Sequence, residues 1–187
     1  MDKKELRKKI KAMKAMLLES EKLDEADRVF GRLEQTAAFL MAEHILMYHS
    51  LPDELPTHKF LKKWAGKKNF YLPRVNGVNL EILPFEESRL ELGAFHIEEP
   101  TGTNVVDSDS IELIVVPGVA YDRKGNRLGR GKGFYDRLLS TTKATKIGVG
   151  FEFQIVEEIP LEPHDVPVDI IISPSALHVI SKIKSKR

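Results

Sequence analysis

Segment 127–133, which reads Arg-Leu-Gly-Arg-Gly-Lys-Gly, combines alternate glycines with cations, and this combination suits phosphate chemistry. The glycines free the backbone to adopt conformations that other residues avoid, and they leave no side chain to keep a ligand from the amide groups. Such a loop at the start of a helix binds anions, because unpaired N–H groups point at the ligand. Its three cations, Arg127, Arg130 and Lys132, predict a ligand with several negative charges, such as a polyphosphate. Asp136 follows shortly after the loop and suits a phosphate bound together with Mg²⁺.

Neighbouring elements must hold this loop in place. The β-branched apolar run 113–116 predicts a buried strand that stops at Pro117-Gly118. Behind the loop, Phe134 and Leu138 are four residues apart and predict the start of a helix. The order of strand, loop and helix favours a phosphate site, and the alternative is a flexible surface connection without a ligand.

The loop does not match two well-known phosphate-binding motifs. Gly133 stands where a Walker loop needs Ser or Thr, and Asn126 stands where that loop needs its earlier glycine. Phe134 replaces the last glycine of the dinucleotide-binding fingerprint. The residues therefore predict a phosphate site of another kind.

Run 126–136, preceded by Val116-Pro117-Gly118 and Asp122, closely resembles the signature of the 5-formyltetrahydrofolate cyclo-ligase family. The resemblance implies that the loop binds ATP and touches the folate substrate, with Lys132 and Arg130 nearest the transferred charge as the catalytic residues. The implied ATP contacts are Arg127, Leu128, Gly129, Arg130, Gly131, Lys132, Gly133, Phe134 and Tyr135. Five of them are also implied to contact the folate, namely Arg130, Gly131, Lys132, Gly133 and Phe134.

Three further cations resemble ATP contacts of the same family. Lys3 and Arg7 are four residues apart on a predicted helix, so they face the same way. The alternative for this pair is a solvated helix surface. Arg74 follows Pro73 at the end of a predicted strand and resembles a phosphate-facing arginine, with an exposed edge charge as the alternative.

The implied folate contacts outside the loop are Glu54, His49 and Phe95. A carboxylate at Glu54 suits a pterin ring, because its two oxygens accept hydrogen bonds from adjacent N–H donors. His49 occupies a folate-contact position that is commonly apolar in relatives. Phe95 is the candidate for an aromatic side chain that stacks on the folate, and surface packing is its alternative explanation.

Asp136 and Asp165 resemble the two aspartates that share the metal ion in this family. His164 lies beside Asp165 and invites a transition metal instead. Oxygen ligands together with phosphate favour Mg²⁺.

The remaining pattern predicts an α/β fold with a largely parallel sheet, because helices and short strands alternate along the chain. Two helices are expected first, one with Asp2 as its N-cap and one capped by Ser20 that buries residues from Leu23 to Leu40. Run 44–50 predicts a buried strand, Thr57 precedes a short helix, and segments 70–75 and 80–85 predict a hairpin. Strands are also expected at 146–151 and up to residue 172. The resemblance implies a three-layer sandwich like that of phosphosugar isomerases and CoA transferases.

Composition limits the class of protein. With 187 residues and 42% hydrophobic content, we expect one domain, 1–187. A net charge of +1 argues against general nucleic-acid binding, and the lack of cysteine excludes disulfides and thiol catalysis. No apolar run is long enough for a membrane span. We therefore expect a cytoplasmic monomer that binds small molecules and neither nucleic acid nor a membrane.

The implied reaction converts 5-formyltetrahydrofolate and ATP to 5,10-methenyltetrahydrofolate, ADP and phosphate. For this reaction the protein must position the substrates and stabilise the developing charge, and it need not supply a nucleophile. Two alternatives stay open. One is a phosphosugar-binding or isomerase-like module that uses the same loop without ATP, and the other is a nucleic-acid-binding protein that uses the basic first helix and the tail 182–187.

Overall fold

The computed structural model describes residues 1–93, 95 and 97–181, and within them five α-helices and twelve β-strands. The predicted basic tail 182–187 lies outside the described residues. The helices are α1 Lys3–Ala15, α2 Glu19–Leu33, α3 Ala37–Met41, α4 His58–Trp64 and α5 Phe134–Leu139. The strands are β1 His44–Leu46, β2 Asn69–Asn76, β3 Asn79–Pro84, β4 Leu90–Leu92, β5 Glu98–Pro100, β6 Leu113–Val116, β7 Ala120–Asp122, β8 Arg127–Leu128, β9 Thr145–Val149, β10 Ile155–Val156, β11 Ile170–Ile172 and β12 Leu177–Val179.

A seven-stranded sheet in the order β12-β11-β9-β6-β1-β2-β3 forms the centre of the molecule. The five inner strands, from β11 to β2, run parallel, and the two edge strands β12 and β3 run antiparallel to their neighbours. The predicted α/β class with a largely parallel sheet is therefore confirmed. Because the carboxyl ends of parallel strands meet at one edge, the loops after β1, β6 and β9 come together there.

The pleat of the sheet divides its side chains between two cores. Leu113 and Val115 belong to a cluster that includes Phe30 of α2 and Phe60 of α4. Ile114 and Val116 point to the opposite face and share a second cluster with Leu138 and Leu139 of α5. Successive residues of a strand face opposite sides, so β6 is buried on both faces and reads as a continuous apolar run. Helices thus cover both faces of the sheet, as expected for three layers.

Helix α1 packs against a small sheet of order β10-β7-β8 rather than against the central one. Its start is fixed by Asp2 and Glu5, which form a reciprocal capping box as the residue pattern predicts. Leu6 and Ile10 bury its apolar side against residues that include Leu128 of β8. This contact sets Lys3 and Arg7 of α1 beside the glycine loop and the turn that carries Asp165.

The predicted second helix is wrong in its boundaries and in part of its buried side. Leu18, not Ser20, is the N-cap of α2, and the helix ends at Leu33. The side chain of Thr36 accepts a hydrogen bond from the Phe39 N–H and starts the separate helix α3, which breaks the predicted periodicity. Leu23 and Leu40 are consequently 50% and 63% exposed.

The other predicted elements are found with shifted ends. Thr57 precedes α4, but its hydroxyl donates to the Tyr48 carbonyl and accepts from the Ser50 N–H instead of capping the helix. Strands β4, β5, β7, β8, β10 and β12 were not predicted. In the part of the chain that the structure describes, no helix has the length and apolar character needed to cross a bilayer.

Candidate functional site

A cavity of about 1380 Å³ opens at the carboxyl ends of β1 and β6. Its lining unites regions that are distant in the sequence: the start of α1, the loop after β1, the β2–β3 hairpin, Phe95 with β5, the glycine loop, and the turn before β11. The predicted site residues that line it are Lys3, Arg7, His49, Glu54, Phe95, Arg127, Gly129, Arg130, Gly131, Lys132, Gly133, Phe134, Tyr135, Asp136 and Asp165. Of the predicted loop contacts, Leu128 is instead buried in the cluster beneath α1.

The glycine loop is held at its start by a hairpin of β7 and β8. The buried carboxylate of Asp122 accepts hydrogen bonds from the N–H groups of Lys124 and Asn126 at 3.0 Å and from the Ile159 N–H at 3.1 Å. One side chain therefore fixes the turn and ties it to the segment after β10. The two short strands beside this turn were not predicted.

Two loop glycines adopt backbone conformations that favour glycine. Gly131 has φ 101° and Gly133 has φ 72°. A Cβ atom at Gly133 would also lie 2.8 Å from Nη1 of Arg137. Helix α5 starts next and has only six residues, so the loop's own N–H groups and cations, rather than a helix dipole, make this wall suitable for an anion.

The two cations of α1 lie at this wall. Nε of Arg7 donates to the Gly129 carbonyl at 2.8 Å, and Nζ of Lys3 lies 3.0 Å from Oδ2 of Asp165. Helix α1 therefore bridges the glycine loop and Asp165, and both cations line the same cavity as the loop.

Arg127 is buried in the floor of the cavity. Its Nη1 donates to the Pro117 carbonyl at 2.9 Å, and its guanidinium lies 5.4 Å from the centre of the Tyr135 ring. Nη2 is 4.0 Å from Oδ1 of Asp136, while the buried Nε has no hydrogen-bond partner among the described residues. The charge of Arg127 is thus fixed beneath the loop.

Arg130 links the glycine loop to the loop after β1. Its Nη2 donates to Oδ1 of Asp53 at 2.9 Å and lies 3.6 Å from Oε2 of Glu54. Partial burial acts to raise the pKa of Asp53, but the hydrogen bond and charge of Arg130 hold that pKa below its usual value. Asp53 was not predicted as a site residue, and its position next to Glu54 was the available signal.

Glu54 lies on the predicted folate side of the cavity. Burial raises the pKa of its carboxyl group, although the Leu51 N–H, which donates to Oε1 at 2.8 Å, works against that rise. A carboxylate that is mostly removed from water is costly unless it gains hydrogen-bond donors. The carboxylate of Glu54 is therefore suited to accept hydrogen bonds from the N–H groups of a ligand.

Two rings frame the same side. His49 stacks on His58 with ring centres 4.0 Å apart, and burial, helped by the neighbouring His58, lowers the pKa of His49. Phe95 is 55% exposed, and its ring centre lies 6.0 Å from that of Phe134. Nζ of Lys132 lies 5.4 Å from the Phe95 ring centre, so an aromatic face and an ammonium group share one position at the cavity wall.

Asp136 and Asp165 meet as predicted, and His164 joins them. Ligand atoms from these three residues all lie within 4.8 Å of one another, which fits a divalent cation. Burial acts to raise the pKa of Asp165, but hydrogen bonds from the Glu162 N–H and from Lys3 hold it below its usual value. Asp136 is oriented by the Val166 N–H, which donates to its Oδ1 at 3.2 Å.

Arg74 does not line this cavity. Its guanidinium donates to Oε2 of Glu81 at 2.8 Å and to the Gly102 carbonyl at 2.8 Å. The register of the hairpin explains this placement, because Arg74 stands directly opposite Glu81 on β3. The position supports the edge-charge interpretation over the predicted ATP contact.

Arg137 is a site residue that the sequence pattern did not reveal. Its Nη2 donates to the Lys132 carbonyl at 2.8 Å, and its Nε donates to the Val78 carbonyl at 2.6 Å. Val78 belongs to the tip of the β2–β3 hairpin, so Arg137 ties the glycine loop to the opposite wall. A basic residue in the last turn of a helix is commonplace, and no signal distinguished this one.

Comparison with known proteins identifies the family. A family model described as the 5-formyltetrahydrofolate cyclo-ligase family matches residues 1–174. A 5-formyltetrahydrofolate cyclo-ligase of Haemophilus influenzae is 34% identical over 142 residues, which cover 70% of this chain and 76% of the relative. One from Escherichia coli K12 is 32% identical over 146 residues, covering 73% and 80%.

Two solved structures of 5,10-methenyltetrahydrofolate synthetases share the fold. The one from Aquifex aeolicus has a TM-score of 0.89 at 32% identity and covers 100% of this chain and 97% of its own. The one from Mycoplasma pneumoniae has a TM-score of 0.76 at 25% identity, covering 93% and 99%. Sequence and fold agree, and the chain belongs to the 5-formyltetrahydrofolate cyclo-ligase family.

Proposed function

We propose that this chain is an enzyme that uses ATP to cyclise 5-formyltetrahydrofolate to 5,10-methenyltetrahydrofolate, releasing ADP and phosphate. Family membership supports this activity. The observation that carries it is the position of Lys132 and Arg130 in one cavity, between the cations of α1 and the carboxylate of Glu54. Both substrates can therefore meet at the glycine loop.

The reaction needs a leaving group on the formyl carbon. Transfer of the γ-phosphoryl group of ATP to the formyl oxygen releases ADP and gives an imidate phosphate. The bridge nitrogen of the folate then attacks the formyl carbon with its electron pair and releases its proton to solvent, the carbon–oxygen bond breaks, and inorganic phosphate leaves with that oxygen. The protein supplies alignment and positive charge rather than a covalent partner.

The charges of the cavity are distributed to suit these steps. Lys3, Arg7 and the loop N–H groups bind the triphosphate, and Lys132 and Arg130 stabilise the charge on the transferred group. Arg130 must then exchange its ion pair with Asp53 for the phosphate. Glu54 accepts N–H groups of the pterin, and Phe95, with His49 nearby, packs against the folate.

The same proposal places Mg²⁺ at Asp136 and Asp165, whose carboxylates fit it by chemistry and separation. The ion would neutralise phosphate oxygens and help align the γ-phosphoryl group. Lys3, now 3.0 Å from Asp165, would turn to the phosphates when the aspartates bind the ion.

Absorbance of the methenyl product tests the activity when 5-formyltetrahydrofolate, ATP and Mg²⁺ are omitted in turn. We expect product only with all three, whereas a phosphosugar-binding module would form none under any condition.

Replacement of Lys132 by Ala should lower kcat at least about 100-fold, because a charge-stabilising group of this kind contributes roughly 10²–10³-fold. Lys124→Ala, in the exposed hairpin turn, is the control and should retain full activity. Near-normal turnover by Lys132→Ala would contradict its catalytic placement.

Replacement of Asp136 by Asn tests the metal position. A carboxylate that acts through the ion should matter only when the ion is present. We expect Asp136→Asn to weaken binding of a non-hydrolysable ATP analogue about tenfold or more with Mg²⁺ and hardly at all with EDTA, measured by calorimetry. Equal loss under both conditions would show that Asp136 does not act through a cation.

A further inference from the structure

We propose that His164 supplies a nitrogen ligand to the divalent cation, so that this site favours first-row transition ions over Mg²⁺ more than two aspartates alone would. The inference rests on the proposed function in one respect, because it takes Asp136 and Asp165 as the other ligands. It adds a ligand and a cation preference that the family resemblance does not supply.

The geometry brings the imidazole into the same coordination sphere. Nε2 of His164 lies 3.5 Å from Oδ1 of Asp165, and ligand atoms of both residues lie within 4.8 Å of one from Asp136. Two atoms bound at right angles to one ion, at distances of about 2.1–2.2 Å, lie about 3 Å apart. The three residues therefore reach one ion with small side-chain movements.

The negative charge of the surrounding carboxylates also favours binding of a divalent cation. Glu162 adds a third carboxylate, with Oε2 only 3.1 Å from Nε2 of His164. Lys3 is the ammonium group in direct contact, at 3.0 Å from Asp165 and 3.4 Å from Glu162. A bound dication would replace Lys3 as the counter-charge and free it for the phosphates. Glu162 lies against Nε2 itself, so its carboxylate would move off that nitrogen when the ion binds and would add negative charge beside the ion.

Ligand chemistry gives the predicted preference. Mg²⁺ binds oxygen almost exclusively, whereas first-row transition ions accept imidazole nitrogen. Mn²⁺ is the weakest binder of that series. If His164 makes the site prefer even Mn²⁺ over Mg²⁺, it should favour the other ions of the series more strongly.

Pulsed electron paramagnetic resonance with Mn²⁺ tests the inference directly. The full chain is labelled with ¹⁵N-histidine and loaded with Mn²⁺ and a non-hydrolysable ATP analogue, without folate. We expect a ¹⁵N coupling to Mn²⁺ in the unaltered chain and in the control His178→Gln, which changes a histidine on edge strand β12. His164→Gln should abolish the coupling. It should also weaken Mn²⁺ binding about tenfold and Mg²⁺ binding, measured by competition, less than about threefold.

Two results would overturn the inference: no nitrogen coupling in the unaltered chain, or a coupling that persists in His164→Gln. Asp136→Asn separates this failure from that of the proposed function. If Asp136→Asn removes Mn²⁺ binding while the unaltered chain shows no nitrogen coupling, the aspartate site stands and only the role of His164 is wrong. If Asp136→Asn leaves Mn²⁺ binding intact, the cation lies elsewhere and both placements are wrong. The omission assay reports the enzymatic activity independently.

Discussion

In the free protein, the ionised carboxylate of Glu54 is destabilised by burial. The N–H donors of the folate are proposed to stabilise it. Its carboxyl group is buried with one backbone donor, and burial raises its pKa. The raised pKa means that the folded protein loses stability as pH rises through that pKa and the buried group becomes charged. Folate affinity should depend on pH in the opposite direction and increase as pH rises, because only the ionised carboxylate of Glu54 accepts two N–H donors of the pterin.

Folate affinity should therefore fall as pH decreases, starting at a higher pH than an ordinary carboxyl group would give. We expect the Kd of 5-formyltetrahydrofolate, measured by calorimetry between pH 5 and 8, to rise toward low pH in the unaltered chain. Glu54→Gln should bind about tenfold or more weakly at pH 8, because its amide cannot accept both donors. The variant should also lose the pH dependence, and a variant that keeps the same pH profile would show that another group titrates.

Individual site residues were predictable where type and spacing restrict the chemistry. The glycine loop and Asp136 were predicted in this way, whereas Lys3, Arg7 and Asp165 were implied by the family resemblance, and all of them line one cavity. Arg74 is not among the residues that line this cavity, because the hairpin register, with Asn76 opposite Asn79, places it opposite Glu81. Residue type alone does not fix that register.

At the scale of elements, Arg137 connects two walls of the cavity. It joins the Lys132 carbonyl in the glycine loop to the Val78 carbonyl in the β2–β3 hairpin, and its guanidinium lies 5.6 Å from the Phe134 ring centre. Both acceptors are main-chain oxygens, which a planar guanidinium bridges better than an ammonium group. The orientation of the loop amides thus depends on α5 and on the hairpin together.

Loss of this link should loosen the loop without unfolding the protein. We expect Arg137→Ala to raise the KM for ATP about tenfold and the KM for folate by less, because the side chain orients the loop amides that bind the triphosphate, and to change the melting temperature little, because the side chain is exposed. Arg137→Lys should recover part of the loss. Arg123→Ala, an exposed arginine of the β7–β8 turn, is the matched control. An equal rise in both KM values would point to general disruption instead.

The helices and strands that could be predicted were those whose own adjacent residues show a clear pattern of residue types. Strand β6, the β2–β3 hairpin and the capped start of α1 each contain their own signal in a few adjacent residues. The two-residue strand β8 and edge strand β12 do not, because pairing with distant partners decides them. The division between α2 and α3 depended on Thr36, whose capping role competes with continuation of the helix.

The whole chain was predicted to form one domain, and the packing of α1 provides a test. Ile10 lies in the cluster beneath α1, whereas Trp64 packs on the separate cluster that contains Phe30 and Phe60. Ile10→Ala should lower the free energy of unfolding by about 2–4 kcal/mol, because it leaves a cavity in a packed core. It should also raise the KM for ATP, since α1 carries Lys3 and Arg7.

Urea unfolding followed by Trp64 fluorescence and by circular dichroism measures this effect. For one domain, the two transitions should coincide and shift together in Ile10→Ala. Leu23→Ala, at an exposed position of α2, should change the free energy of unfolding by less than about 0.5 kcal/mol. A fluorescence transition that stays in place while the dichroism transition moves would indicate two independently folding units.

The position of β1 between β2 and β6 also affects how the protein is made. β1 and β2 leave the ribosome early, but one edge of β1 stays unpaired until residues 113–116 have been synthesised. Unpaired edges of apolar strands are templates for association with other chains. The nascent chain therefore exposes such an edge throughout the synthesis of its middle third, and slow translation there would prolong the need for a chaperone.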